Sequence, residues 1–186
     1  RWIVDPLDGT TNFLHGIPHF AISIAHEQNG ELIAGMVYDP TRDETFWAVK
    51  GAGCFLGNTR LRVSARDSLD IAVLATGIPF GNRPGKEEMR AALVPVMDRT
   101  AGLRRFGAAS LDLAYVAAGR FDAFWEFGLA PWDVAAGIVL IREAGGLVSE
   151  LDGRADPLNG GTILAANSAL YDPVGKMLRD AIRGKR

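Results

Sequence analysis

Two aspartates that flank a Pro-Leu pair are the feature that most constrains this chain. The short apolar run Trp2-Ile3-Val4 indicates the end of a strand, and Asp5 and Asp8 follow it. Pro6 stiffens the backbone between the two carboxylates and favours an extended conformation at Asp5. Gly9 then permits a sharp turn and the close approach of a ligand to the main chain. The segment therefore predicts a strand that leads directly into a ligand-binding turn.

The residues after Gly9 favour the start of a short helix. Thr10, Thr11 and Asn12 are good capping residues, and the first N–H groups of a helix have no partner within it. Two neighbouring carboxylates repel each other unless a cation lies between them. Mg²⁺ suits that position, because it prefers oxygen ligands and is often shared between carboxylates and a phosphate. An ordinary strand-to-turn junction explains an isolated Asp-Pro or Asp-Gly pair, but the whole ordered segment favours a metal and phosphate site.

The composition indicates a soluble globular protein. The chain has 186 residues, of which 48% are hydrophobic and 23% charged, and this length fits one domain. The formal charge of −2 gives no support for non-specific binding of nucleic acid. The only cysteine, Cys54, excludes an internal disulfide and a Cys-rich zinc site, which fits a reducing cytoplasm. No apolar run approaches the roughly 18 residues of a membrane span.

Strand and helix patterns alternate along the rest of the chain. Asn29-Gly30 predicts a tight hairpin. The glycine-rich segment 50–57 has the wrong spacing for a dinucleotide loop and is predicted to be a tight connection to a short strand over 61–63. Further strands are predicted over 20–26, 32–38, 44–49, 71–76, 103–106, 121–127, 147–149 and 162–165, and helices over 86–99, 109–118, 131–144 and 170–183. Together these elements predict an α/β fold, a layered sandwich of sheets and helices.

A third aspartate lies in a second distinctive segment, Trp132-Asp133-Val134-Ala135-Ala136-Gly137. Pro131 suits the first position of a helix, which places Asp133 in the first helical turn. A carboxylate there interacts favourably with the helix dipole, by about 0.3–1 kcal/mol, and this alone explains its presence. The residues by themselves therefore favour this structural role of Asp133 over metal binding.

The two distinctive segments together resemble a known family. Asp5-Pro6-Leu7-Asp8-Gly9-Thr10-Thr11-Asn12-Phe13 is similar to the first signature of the inositol monophosphatase family, and the segment after Pro131 is similar to the second. His15-Gly16-Ile17-Pro18-His19-Phe20 and Gly107-Ala108-Ala109-Ser110 resemble the bacterial branch sometimes called extragenic suppressor proteins. The resemblance covers essentially the whole chain. It implies a single domain over residues 1–186 of the sugar-phosphatase type, without the N-terminal segment in which the family carries a Glu-Glu metal motif.

The resemblance implies a Mg²⁺-dependent, lithium-sensitive phosphomonoesterase in which water attacks the phosphate directly, without a phosphoenzyme. Thr10 would orient that water, and the N–H groups of Gly9 and Thr10 would bind the phosphate at the helix start. The implied metal ligands are Asp5, Asp8, Asp133 and the carbonyl oxygen of Leu7. The residues implied to contact the substrate are Leu7, Asp8, Gly9, Thr10, Gly107, Ala108, Ala109, Glu126 and Asp133.

The resemblance leaves several substrates and one different class of function as alternatives. Inositol monophosphate or a similar polyol phosphate is favoured. A nucleotidase acting on a 3′(2′),5′-bisphosphate is disfavoured by Thr11-Asn12, where those relatives usually carry a basic and an acidic residue, and a histidinol-phosphate phosphatase is a further alternative. A non-catalytic protein of RNA-related regulation is disfavoured by the intact set of candidate catalytic residues, Asp5, Asp8, Thr10 and Asp133. We expect a cytoplasmic homodimer that binds neither nucleic acid directly nor membranes.

Overall fold

The structure, a computed structural model, describes residues 1–184, which form two β-sheets and five α-helices. The first sheet contains β1 (Trp2–Asp8), β2 (Ala21–Gln28), β3 (Glu31–Asp39), β4 (Glu44–Val49), β5 (Gly53–Leu56) and β6 (Thr59–Leu61). The second contains β7 (Val73–Thr76), β8 (Gly102–Arg104), β9 (Ala123–Phe127), β10 (Leu147–Ser149) and β11 (Thr162–Ala166). The helices are α1 (Thr10–Leu14), α2 (Lys86–Arg99), α3 (Ala109–Ala117), α4 (Pro131–Glu143) and α5 (Tyr171–Arg183).

The first sheet is an antiparallel meander in which each strand pairs with the next along the chain. The hairpin predicted at Asn29-Gly30 is confirmed, and both residues have the positive φ that a tight turn between twisted strands requires. Alternate residues of β2, namely Ala21, Ser23 and Ala25, are buried, so one face of the sheet contacts the core. Outside segment 50–63, the other predicted elements after β1 are also confirmed, and none of their ends differs by more than two residues.

The prediction for segment 50–57 is wrong. The segment contains β5, which pairs with β4 on one side and with β6 on the other. Gly51 and Gly57, both with positive φ, lie in the turns at the two ends of this strand. Because the glycines belong to these turns, the residues between them are free to form an extended strand. The short strand that follows lies over Thr59–Leu61 instead of 61–63.

The second sheet has the strand order β10-β11-β9-β7-β8, with β7 parallel to both of its neighbours. Helices α3 and α4 lie between the two sheets, where their apolar residues form one core with the inner faces of both. Helices α2 and α5 cover the opposite face of the second sheet and enclose a second core. This arrangement confirms the predicted layered α/β sandwich. None of the helices among the described residues is long and apolar enough to cross a membrane.

Close backbone approach fixes the position of α4 on the first sheet. A Cβ atom built on Gly35 of β3 would lie 2.7 Å from the carbonyl oxygen of Ala136 and 2.9 Å from its Cα. On its other side, α4 contacts α3 at Gly137, where a Cβ would lie 2.4 Å from a methyl carbon of Leu113. Glycine at both positions lets the helix pack closely, and this sets the place where its first turn carries Asp133.

Gly35→Ala should therefore destabilise the fold. The added methyl group meets backbone atoms that cannot move out of the way alone, and overpacking of this kind typically costs about 1–3 kcal/mol. Urea unfolding should show that loss in the free energy of unfolding. The control is Gly102→Ala on strand β8, where the new Cβ would contact only the flexible guanidinium of Arg104, at 3.1 Å. Equal stabilities for the two variants would contradict this account of α4.

Candidate metal centre

A β-bulge in β1 brings two aspartates to the same side of the strand. The strand predicted to end at Val4 instead continues to Asp8, and its register with β2 shifts between Asp5 and Asp8. Residues three apart in a regular strand point to opposite faces, so the shift is needed for the two side chains to meet. Pro6 lies in the stretch where the pairing of β1 with β2 is interrupted. Its lack of an N–H group therefore costs no hydrogen bond between the strands.

The third aspartate joins this pair from the distant helix α4. Asp133 lies in the first turn of that helix, and one carboxylate oxygen from each of Asp5, Asp8 and Asp133 lies within 4.8 Å of the others. Asp8 is buried and the other two are partly buried. No lysine or arginine among the described residues forms a salt bridge with any of the three. The structure thus brings together the three carboxylates that the sequence analysis selected.

Each carboxylate is held through one oxygen and leaves the other available. The second oxygen of each has no hydrogen-bond partner within residues 1–184. The hydrogen bonds that hold the first oxygens come from the N–H of Leu7 to Asp5 Oδ1 (3.0 Å), from the N–H and Oγ of Ser110 to Asp8 Oδ2 (2.8 and 2.6 Å), and from the N–H of Ala130 to Asp133 Oδ2 (2.8 Å). Hard carboxylate oxygens oriented in this way fit a divalent cation such as Mg²⁺, Mn²⁺ or Ca²⁺.

Burial makes ionisation of Asp8 and Asp133 less favourable in the absence of a cation. Burial raises the pKa of Asp8 to about 6; the two hydrogen bonds from Ser110 oppose that rise, while the negative charges of Asp133 and Asp5 add to it. Burial also raises the pKa of Asp133, against the effect of the Ala130 N–H. A bound cation favours the ionised form of each carboxylate and would remove this cost.

Two further acidic residues lie close to the cluster. Glu126 is on β9, and burial followed by the charges of Asp8 and Asp133 raises its pKa to about 8, against the opposing effects of two arginines. Asp112 is on α3, and burial raises its pKa well above the usual range, with Glu126 and Asp8 as further causes. Its Oδ1 has no hydrogen-bond partner. Burial therefore favours the protonated form of both Glu126 and Asp112, and Glu126 lies close enough to Asp8 and Asp133 for their charges to affect its pKa.

The segment before α3 lies against the turn at Gly9. A Cβ built on Gly9, which has a φ of +83°, would lie 3.3 Å from the Cβ of Ala108. The side-chain amide of Asn12 ties the two segments together, since Nδ2 donates to the carbonyl oxygens of His19 and Phe106, at 2.8 Å each. Gly107, Ala108 and Ala109 are thereby brought to the same place as Gly9.

Thr10 is exposed at the start of α1 and makes one informative hydrogen bond. Its Oγ1 donates to the carbonyl oxygen of Leu7, at 2.9 Å. The hydroxyl hydrogen is therefore committed, and the oxygen lone pairs remain to accept a hydrogen bond from a water molecule. The Leu7 carbonyl keeps a second lone pair that a cation could share.

Three residues near the cluster were missed as functional by the sequence analysis: Ser110, Asn12 and Asp112. Ser110 lies in the first turn of a predicted helix, a position that often supplies a hydrogen-bond donor to a carboxylate or an anion. Asp112 stands alone among apolar residues of a helix that is buried on all sides, and such a charged residue is a signal for function. Asn12 is part of the first motif, but the two carbonyl groups it joins become neighbours only in the fold.

Comparison with known proteins accounts for this arrangement. The model of the inositol monophosphatase family matches residues 1–183. The chain belongs to the inositol monophosphatase family. It is 54% identical over 183 residues to a Caulobacter vibrioides protein named inositol-1-monophosphatase, with 97% of this chain and 72% of that protein covered. It is also 54% identical over 175 residues to the Nus factor SuhB of Pseudomonas aeruginosa, with 91% and 64% covered.

Solved structures of the family support the fold. The extragenic suppressor protein SuhB of Bartonella henselae, 51% identical, matches with a TM-score of 0.93 over 96% of this chain and 69% of that chain. The predicted sugar-phosphatase type of α/β fold is thereby confirmed. Membership of this phosphatase family also confirms the prediction that the protein is an enzyme, a phosphoric monoester hydrolase.

The raised pKa of Glu126 predicts a pH-dependent cost to folding. Its pKa rises from 4.5 to about 8 in the folded protein, so the folded state favours the protonated form. The stability that this provides is present below pH 4.5 and is lost as the pH rises towards 8. In metal-free buffer, Glu126→Gln should therefore become more stable relative to the parent as the pH rises from 5 to about 8. Urea unfolding at several pH values measures this difference, and a constant difference would contradict the assignment.

Proposed function

We propose that the chain hydrolyses phosphate monoesters with Mg²⁺ held by Asp5, Asp8 and Asp133, and that its substrate is inositol 1-phosphate or a closely similar polyol phosphate. The observation that carries this proposal is the cluster itself. Three carboxylates within 4.8 Å each present an oxygen without a hydrogen-bond partner, and none is paired with a lysine or arginine among the described residues. The Leu7 carbonyl is the proposed fourth protein ligand.

Bound Mg²⁺ would neutralise the phosphate and stabilise the charge that develops during hydrolysis. The chain's own groups position the reactants. Thr10 Oγ1, whose hydrogen is donated to Leu7, accepts a hydrogen bond from the attacking water and so directs the oxygen of that water towards the phosphorus. The N–H groups of Gly9 and Thr10 bind the phosphate at the beginning of α1, where such groups lack partners within the helix.

Recognition of the polyol is assigned to Glu126 and to the backbone that lies beside Gly9. The carboxyl group of Glu126 can accept a hydrogen bond from a substrate hydroxyl, and it can also donate one in its protonated form, which burial favours. The backbone at Gly107, Ala108 and Ala109 lies beside Gly9 and offers further groups that can contact the substrate. The name of the Caulobacter vibrioides relative supports inositol 1-phosphate as the substrate to test first.

Asp133→Asn should abolish Mg²⁺-dependent turnover of inositol 1-phosphate. The substitution removes one negative ligand, so a fall of at least about a hundredfold in kcat/KM is expected. Phosphate release with and without Mg²⁺ measures the effect. The matched control is Asp98→Asn on the exposed side of α2, which should leave turnover unchanged. Parent-like activity in the Asp133 variant would refute the proposed metal site.

Ser110→Ala should weaken binding of Mg²⁺ without removing a ligand. The hydroxyl holds Asp8 in place through Oδ2, and loss of such a supporting hydrogen bond typically reduces metal affinity by about 10–100-fold. Isothermal titration calorimetry gives the affinity directly. Ser68→Ala, at an exposed serine, serves as the control. If both variants bind Mg²⁺ as the parent does, Ser110 does not support the site.

A regulatory binding role is the second candidate, because the relatives from Pseudomonas aeruginosa and Escherichia coli are named Nus factor SuhB. Such a role requires the surface of the fold but not Mg²⁺-dependent turnover. A strain that depends on this protein separates the two roles: rescue by the Asp133→Asn variant would favour the regulatory role, and failure of a folded variant would favour catalysis. The homodimer and the cytoplasmic location stay predictions.

A further inference from the structure

Gly77 and Glu126 are neighbours at the ends of two parallel strands. Strand β7 pairs with β9 so that Thr76 lies opposite Trp125. The residues that follow these two along the chain are Gly77 and Glu126. Thr76 Oγ1 donates to the Trp125 carbonyl oxygen, at 2.7 Å, and fixes the two strands at this level. The carboxyl group of Glu126 therefore lies directly against the backbone of Gly77.

The carboxyl group of Glu126 occupies the space that a side chain at position 77 would need. A Cβ built on Gly77 would lie 1.9 Å from Oε1, 2.0 Å from Cδ and 2.2 Å from Oε2 of Glu126. These distances are far below van der Waals contact, and all three atoms belong to the functional group of one side chain. No residue other than glycine can stand here while Glu126 keeps its position.

The backbone conformation does not by itself require glycine at this position. Gly9 has a φ of +83°, in the left-handed region that favours glycine, whereas the φ of Gly77 lies outside that region. Gly77 is also buried, so it is not a flexible surface turn. The space that Glu126 takes is therefore the physical reason for glycine at position 77.

We propose that Gly77 is a positioning residue that sets the depth of the Glu126 carboxyl group in the substrate pocket and thereby the specificity for a hydroxyl-bearing phosphate monoester. The inference rests on the proposed function, in which Glu126 contacts a substrate hydroxyl. A methyl group at position 77 displaces the carboxyl by about 1.5 Å or more, and a displacement near 1 Å at a positioning group can cost about a hundredfold in rate. The three atoms nearest to a Cβ at position 77 all belong to Glu126 and none to the metal ligands, so the substitution acts on Glu126 first.

The test compares two substrates in the Gly77→Ala variant of the full chain. Inositol 1-phosphate presents hydroxyl groups to Glu126, whereas p-nitrophenyl phosphate presents none. We expect KM for inositol 1-phosphate to rise at least about tenfold, while kcat/KM for p-nitrophenyl phosphate changes less than about threefold. Gly102→Ala in the same sheet should leave both substrates unaffected. An equal loss for both substrates in Gly77→Ala would overturn the inference.

A double variant tests the contact itself. Aspartate at position 126 is shorter by one methylene and leaves room for the methyl group at position 77. The loss for inositol 1-phosphate in Gly77→Ala/Glu126→Asp should therefore be smaller than the product of the two single losses. If Gly77→Ala fails to fold and Glu126→Asp in the same chain does not restore folding, Gly77 serves packing and the inference is overturned.

A crystal structure of Gly77→Ala decides the positioning claim independently of activity. The carboxyl group of Glu126 should lie at least about 1.5 Å from its place in the parent. An unmoved carboxyl group with a shifted β7 backbone would overturn the inference. If the parent turns over p-nitrophenyl phosphate but no polyol phosphate, the proposed substrate is wrong, while the crystal structure still tests whether Gly77 positions Glu126.

Discussion

The close approach of three buried or partly buried carboxylates is the constraint on which the rest of this site depends. Asp5 and Asp8 come from the first strand and Asp133 from a helix far along the chain, yet oxygens of all three lie within 4.8 Å of one another. Burial, together with the charges of Asp133 and Asp5, raises the pKa of Asp8 to about 6. Holding Asp8 in its ionised form therefore costs folding free energy in the metal-free protein. The fold maintains this arrangement through hydrogen bonds to one oxygen of each carboxylate, and the other oxygen of each has no hydrogen-bond partner among the described residues.

The layered architecture explains how groups distant in sequence reach that point. Helices α3 and α4 lie between the two sheets, and both begin at the cluster. The start of α3 donates two hydrogen bonds to Asp8, and the first turn of α4 carries Asp133. The positive ends of both helix dipoles favour carboxylates, and favour an anionic substrate for the same reason. Close packing at Gly35 sets the position of α4, so the geometry of the site depends on contacts in the core.

Local signals in the sequence account for what could be predicted. The Asn29-Gly30 turn, the helix that begins at Pro131 and the two aspartate motifs each depend on a few consecutive residues, and all are found in the structure. Strand β5 was missed because it lies between two glycine turns that together suggest a loop. The bulge in β1 was also missed, although Pro6, which has no N–H group to pair with β2, is compatible with an interrupted register at this place.

What the sequence could not predict depends on residues that meet only in the fold. Ser110 donates to Asp8 across more than a hundred residues, and Asn12 joins two carbonyl groups from separate loops. Gly77 is an ordinary loop glycine in the sequence, and its meaning appears only when Glu126 is seen to occupy the space beside it. Patterns within one element carry no information about such contacts.

An anomalous difference map from crystals of this chain soaked in Mn²⁺ tests the central claim most directly. Mn²⁺ replaces Mg²⁺ at oxygen sites and scatters anomalously, so its position is observed without reference to activity. The account predicts a peak within bonding distance of one carboxylate oxygen from each of Asp5, Asp8 and Asp133. A map with no peak among these three oxygens, at Mn²⁺ concentrations that support turnover, would contradict the account.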